Sequence, residues 1–152
     1  MWYRDHAALS LITRRYLPWL AGLSLAWELA QLPLYTLWRE ASAGYIAFAV
    51  AHCTVGDVLI GASALLLALL VTRAGPLRRW PWLRIALIAT AAGAAYTLVS
   101  EWMNTSLRQG WQYSALMPTL ELGGFVIGVS PLAQWLVVPP LALYLARRSA
   151  SR

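Results

Sequence analysis

Lysine is absent from this chain, and all twelve basic residues are arginine. Charge of either sign is scarce: only 12% of the 152 residues are charged and 60% are hydrophobic. An ordinary soluble domain is roughly 25% charged. A soluble fold of this length has too little interior for so much apolar sequence, which points to a polytopic membrane protein. The single cysteine, Cys53, excludes an intrachain disulfide. The two histidines, His6 and His52, form no HxxxH pair, and neither CxxC nor ExxH spacing occurs, so no standard metal motif is present. A lone histidine in the apolar part argues against a bis-histidine haem. The formal charge of +6 is no nucleic-acid footprint, because no basic stripe with interleaved aromatics accompanies it. No internal repeat and no soluble domain is visible.

What the sequence does have is apolar runs bounded by aromatics and arginine. Nine Trp and seven Tyr suit the two membrane interfaces. Residues 1–15 form a basic leader with Arg4, Arg14 and Arg15. The first span is expected over 16–38, marked by Tyr16 and Trp19 at one end and Tyr35 and Trp38 at the other. Pro18 would sit in its first turn and Pro33 would kink its last third. A secretory signal is a poor alternative, since this apolar stretch exceeds the roughly 7–15 residues of an h-region and contains Glu28. The second span covers 46–72, with Gly56 expected to admit a close neighbour. The third covers 83–103, where Ala91-Ala92-Gly93-Ala94-Ala95 offers a small-residue packing surface. The fourth covers 130–146, opened by Ser130 as N-cap and Pro131, with Pro139-Pro140 bending it. Each span is close to the ~20 residues a bilayer core requires.

The expected fold is therefore all-α: one transmembrane domain over 1–152 with four spans. The connection 105–129 is too apolar for a free solvated loop. It is expected to lie on the membrane surface or to dip in as a lid. With four spans, the N-terminus, the 73–84 turn and the C-terminal tail share one side with ten arginines, while Arg39 and Arg108 alone lie on the other. The positive-inside rule then makes both termini cytoplasmic and the lid non-cytoplasmic. The expected location is the bacterial cytoplasmic (inner) membrane.

The polar residues inside the spans gather at one depth. Counting ~1.5 Å per residue, Glu28, Asp57, Glu101 and His52 all fall between the membrane centre and the non-cytoplasmic face. Gln31 and Tyr35 share a face with Glu28, Asn104 shares one with Glu101, and Gln134 lies about one turn into the last span. A carboxylate at the bilayer centre costs on the order of 2.5–3.5 kcal/mol on insertion scales, so these groups must be protonated, paired or wet. Taken singly, each has a plain explanation. Glu28 with Gln31 fits a neutral interhelical hydrogen bond, His52 a satisfied interfacial side chain, Cys53 a packing residue, and Asp57 a partner for His52 or Arg108. Convergence from four helices instead implies one polar cavity under the 111–117 segment.

Three functions fit such a cavity. The first is acid/base chemistry on a lipid or isoprenoid. Glu101 would be the base and a desolvated Glu28 or Asp57 the acid, with Asn104 beside them. Trp27, Gln31, Trp102, Trp111, Tyr113 and Gln134 would contact the substrate, the aromatics stabilising a developing cation. The second is a bound transition metal with His52 as a ligand. The third is a non-enzymatic subunit or assembly factor of a larger membrane complex. Membrane lipids and a hydrophobic small molecule are the expected partners, other membrane subunits belong to the third reading, and nucleic acid is not expected.

The order Trp-Glu-x-x-Gln-x-Pro-x-Tyr (27–35), His-Cys-x-x-Gly-Asp (52–57), Ser-Glu-Trp-x-Asn (100–104), Trp-x-Tyr (111–113), Met-Pro (117–118) and Ser-Pro-Leu-x-Gln-Trp (130–135) resembles a family of small bacterial four-helix integral membrane proteins. The likeness covers nearly the whole chain and brings no activity with it. The 101–135 part is also similar in layout to membrane carotenoid cyclases and hydratases: an acid at a helix end, Trp-x-Tyr, then a Pro-led helix. Those cyclases carry Pro-x-Glu-Glu where this chain has Pro131-Leu132-Ala133-Gln134.

Overall fold

The computed structural model describes residues 1–107 and 111–150. Its first helical run starts earlier than the apolar pattern implies. Helix His6–Leu11, a wide π turn Ile12–Tyr16, helix Leu17–Gln31 and a 3-10 turn Leu32–Leu34 follow without a break; this run is called α1. Asp5 starts it, its carboxylate accepting from the Ala7 N–H at 3.0 Å and acting as an N-cap. Pro18 therefore sits inside a helix rather than in a first turn. The π turn explains how it is tolerated: the Leu17 N–H bonds to the Ile12 carbonyl, widening the ladder where proline can neither donate nor fit a regular turn. Pro33 does more than kink the run. Tyr35 is extended, with φ −114° and ψ 147°, and α1 ends there.

A short helix α2, Leu37–Glu40, leads to α3, Ala43–Val71, capped by the Ser42 hydroxyl at the Tyr45 N–H. Helix α4, Trp82–Trp102, extends through a π turn Met103–Leu107. The connection that follows contains an element the sequence reading lacks, a hairpin of β1, Thr119–Leu122, with β2, Phe125–Gly128. Gly123 and Gly124 turn it with φ of 57° and 85°, as a two-residue hairpin loop requires. Helix α5, Val129–Ala150, starts one residue before Ser130 and runs through Pro139 and Pro140. Ser130 is thus inside the helix, not its N-cap, and its hydroxyl is used elsewhere.

Among the described residues, three helices are long and apolar enough to cross a membrane: Ala43–Val71, Trp82–Thr105 and Val129–Ser149. The longest regular α-helical piece of α1, Leu17–Gln31, has 15 residues. The main packing contacts form a ring, α1 on α3, α3 on α4, α4 on α5 and α5 back on α1. Apolar side chains such as Leu59, Leu66, Leu70, Leu87, Val99 and Leu136 face outward, the surface expected of helices solvated by lipid.

The bundle has two unlike ends. At one end a dry core joins Leu11, Tyr16 and Leu20 of α1 to Leu65 and Leu69 of α3, Ile85 of α4 and Ala142 and Leu143 of α5. The 73–82 turn, the residues before α1 and the last turns of α5 meet there. The Trp2 N–H donates to the Ala74 carbonyl at 3.2 Å, Asp5 accepts from the Leu77 N–H at 2.7 Å, and the Arg147 guanidinium lies 5.0 Å from the Trp82 ring centre. At the other end the core gives way to polar side chains.

Close approaches occur at other glycines than Gly56, around which a Cβ would meet open space. Gly93 is the tight one: a Cβ there would overlap the Trp135 ring. In the small-residue stretch around it, Ala91 and Ala95 are exposed, so the contact is centred on Gly93 alone.

Candidate functional site: a carboxylate-lined cavity

Pro33 ends α1 and leaves the carbonyls near the break without helical partners. The segment after the undescribed residues takes them. Ser114 donates its N–H to the Leu34 carbonyl at 2.9 Å, and Gln112 accepts from the Thr36 N–H at 3.0 Å. The Ser114 hydroxyl donates to the Pro33 carbonyl at 2.9 Å. Residues 111–114 thus form a strap fixed across the end of the bundle, with Tyr35 and Tyr113 paired and their rings 5.8 Å apart.

Beneath the strap is a cavity of about 360 Å³. Glu28 and Gln31 line it from α1, His52, Cys53 and Asp57 from α3, Thr97, Ser100, Glu101 and Asn104 from the α4 end, Trp111 from the strap, and Gln134 and Trp135 from α5. Glu28, Gln31, Glu101 and Gln134 are buried. The expected convergence of Glu28, Asp57, Glu101, Asn104, Gln31 and Gln134 on one space is what the structure contains.

Each acid is held by a neutral donor. Gln31 donates to Glu28 Oε1 at 2.8 Å, and its own Oε1 accepts from Ser130 at 2.9 Å. Gln134 donates to Asp57 Oδ2 at 2.6 Å, tying α5 to α3. The Tyr113 hydroxyl donates to Glu101 Oε2 and accepts from the Gly128 N–H. Burial, reinforced by the Glu101 carboxylate, raises the Tyr113 phenol above its ordinary value of 10, so Tyr113 remains a donor. Glu28 and Asp57 are close enough to interact directly across the α1–α3 contact. The Trp111 indole lies beside Glu101, with its N–H buried and unpartnered among the described residues. No arginine is among the described residues lining the cavity.

Several expected roles change. Asn104 lines the cavity, but its amide is turned back on its own helix, donating to the Ser100 carbonyl at 2.8 Å. Trp27 is absent from the described lining and packs on the apolar core. Trp102 is likewise absent from it and meets the hairpin, its ring centre 5.5 Å from that of Phe125. Both miss the cavity because an aromatic beside a polar residue in sequence points about 100° away from it on a helix. His52 is at the rim, exposed and stacked on Phe48 at 5.7 Å. Among the described residues, no three His, Cys, Asp or Glu side chains gather to hold a metal, so His52 has no companion ligands there. Arg108, expected on the side of Glu101, lies outside the described residues.

The sequence reading missed Tyr96 and Val50 as wall residues, and it gave Trp135 no role. The signal for Trp135 was the small-residue stretch around Gly93, which leaves room for a large ring from a facing helix.

No protein-family profile, no curated protein and no solved structure matches this chain. The class defined by the fold and the site is a helical protein with apolar, membrane-length helices around a carboxylate-lined cavity.

Proposed function

We propose that this is a multi-pass protein of the bacterial cytoplasmic membrane that performs acid/base chemistry on a lipid or isoprenoid. The observation that carries this reading is the meeting of three carboxyls from three helices in one cavity with no arginine in its described lining. Acids that served only to hold helices together would be better matched by cations in so apolar a setting.

In this reading α1 is the fourth span. At ~1.5 Å per residue the run 6–34 extends about 43 Å, enough to cross a ~30 Å hydrocarbon core. The contacts of Trp2, Asp5 and Arg147 with the 73–82 turn put the start of α1 and the last turns of α5 on the side of that turn, which supports two crossings before it and two after. The arginine split then makes that end cytoplasmic and the cavity non-cytoplasmic. Glu101, steadied by Tyr113 and nearest the strap, is the base. The Glu28–Asp57 pair, deeper in the bundle, holds the proton that is delivered. Trp111 of the strap and Trp135 of α5 wall the space that receives the reacting part of the substrate. The second reading, a non-enzymatic subunit of a larger complex, draws on the hairpin, whose Leu120, Leu122, Phe125 and Val126 are all exposed.

Proton transfer to and from carbon leaves a permanent record in heavy water. Proteoliposomes containing a polyprenol, a menaquinone and a carotenoid, incubated in deuterium oxide, should accumulate carbon-bound deuterium in one of these lipids. Glu101→Gln should lower the rate on the order of 10²-fold or more. Unlabelled lipids with wild-type protein would retire the acid/base reading and leave the subunit reading in front.

A further inference from the structure

The cavity does not end at the polar groups. Ile60 of α3 and Tyr96 of α4 line it, and both also line a second, apolar space of about 300 Å³. That space is a groove on the outside of the α3–α4 contact, floored by Ser63, Ala64 and Ala92 and flanked by Leu59 and Leu67. Leu59, Ser63 and Leu67 are four residues apart, so the groove follows the axis of α3. From Leu59 to Leu67 it extends about 12 Å, and the sequence direction takes it away from the strap toward the dry end of the bundle. A polar cavity and an apolar groove that share two wall residues have the outline of an amphiphile.

The polar part selects the head. Glu28, Asp57 and Glu101 each have one oxygen occupied by a protein donor, Gln31, Gln134 and Tyr113 respectively. The site is rich in acceptors, and no arginine is among its described lining residues. A phosphate or carboxylate head would add acceptors to a site already full of them and bring its charge beside Glu101, the base of this reading, with no arginine among the described lining residues, which is rejection by like charge. An amine or a hydroxyl would donate to them.

We propose that the site takes a single-chain amphiphile with a hydrogen-bond-donating, non-anionic head (an amine or hydroxyl) among Glu28, Asp57 and Glu101. Its hydrocarbon chain leaves past Ile60 and Tyr96 and lies in the α3–α4 groove. This deepens the acid/base reading, on which it rests, by naming the substrate class. It also sets the route: the chain enters sideways from the lipid, and the strap covers the head.

The test uses the full-length protein in zwitterionic nanodiscs, which avoids competition from detergent chains. Three photoreactive probes differ only in the head: dodecylamine, dodecanol and dodecyl phosphate, each with a mid-chain diazirine. The amine and the alcohol should label the 59–67 and 92–96 segments, and the phosphate on the order of a hundredfold less, because like charges in a low-dielectric site repel. Ser63→Phe, a change at an outward-facing position suited to an apolar side chain, should abolish that labelling. Ala92→Leu, placed on the opposite helix, should do the same and guards against a folding defect in the first variant. Equal labelling by all three probes, or labelling spread over every lipid-facing helix, would overturn the proposal. Deuterium incorporation without groove labelling would retire the amphiphile and leave the acid/base reading standing. Failure of both would retire both.

Discussion

Replacing Gly93 by alanine tests the wall of the cavity through one methyl group. In an exposed helix the change is favourable by about 1 kcal/mol, since glycine is a poor helix former. Here the new Cβ would fall within 2.7 Å of Trp135 Cδ2, with two further ring atoms closer still. Trp135 is 3% exposed, so the ring must shift to admit the methyl group. Overpacking of this kind costs about 1–3 kcal/mol, so the helix gain is outweighed and a net loss of up to about 2 kcal/mol is expected. The sign should reverse once the ring is gone: in a Trp135→Leu background the same substitution should stabilise by about 1 kcal/mol. Gly22, whose Cβ position is open, is the control and should gain from alanine in either background. The assay is unfolding in mixed micelles followed by helical circular dichroism, with the wild type, Gly93→Ala, Trp135→Leu and the double variant analysed as a double-mutant cycle. Gly93→Ala as benign as Gly22→Ala would show that Trp135 does not lie against Gly93, and the cavity wall described above would be wrong.

Two further outcomes are expected. The Asp5 carboxyl is held below the ordinary aspartate value of 3.8, chiefly by the Leu77 N–H and then by the Ala7 N–H. A depressed folded-state pKa stabilises the fold above the unfolded value, and that contribution is lost as pH falls through the folded one. The protection of the Leu77 amide against hydrogen exchange, corrected for intrinsic rate, should therefore fall below about pH 4 and be low at all pH values in Asp5→Ala; protection indifferent to both would remove this clasp. For topology, Ala43→Cys in a Cys53→Ser background should react with a membrane-impermeant maleimide from the non-cytoplasmic side. Reaction only from the cytoplasm would invert the proposed placement.

The parts of this structure legible in the sequence are those fixed by long patterns. Helix α3 was bounded to within a few residues because an apolar run of that length permits little else. The convergence of Glu28, Asp57, Glu101 and Gln134 followed from counting depth, since polar groups in apolar helices must meet each other or water. The start of α1 was not legible: Arg14 and Arg15 read as a flank, and the capping signal of Asp5 lies outside the apolar pattern. The small-residue stretch 91–95 marked a packing surface, and the structure has a close approach there at Gly93, whereas Gly56, between Val55 and Asp57, meets no neighbour among the described residues. The hairpin was masked by its apolar residues. Leu120 and Leu122 alternate as a strand should, but the run reads equally as a segment lying on a membrane, and Gly123-Gly124 was the better clue.

What the acids share bears most on function. A carboxylate kept for stability inside an apolar bundle is best served by a fixed cation, and a mismatch there is costly. Glu28, Asp57 and Glu101 instead have Gln31, Gln134 and Tyr113, neutral donors that orient one oxygen without pairing it with a cation. Each of these donors is itself fixed: Gln31 by Ser130, Gln134 by its burial in α5, and Tyr113 by the Gly128 N–H and the strap. The fold thus spends its polar side chains on aiming carboxyls rather than neutralising them. That arrangement leaves proton occupancy free to change while the geometry stays put, as proton transfer requires and mere helix packing does not.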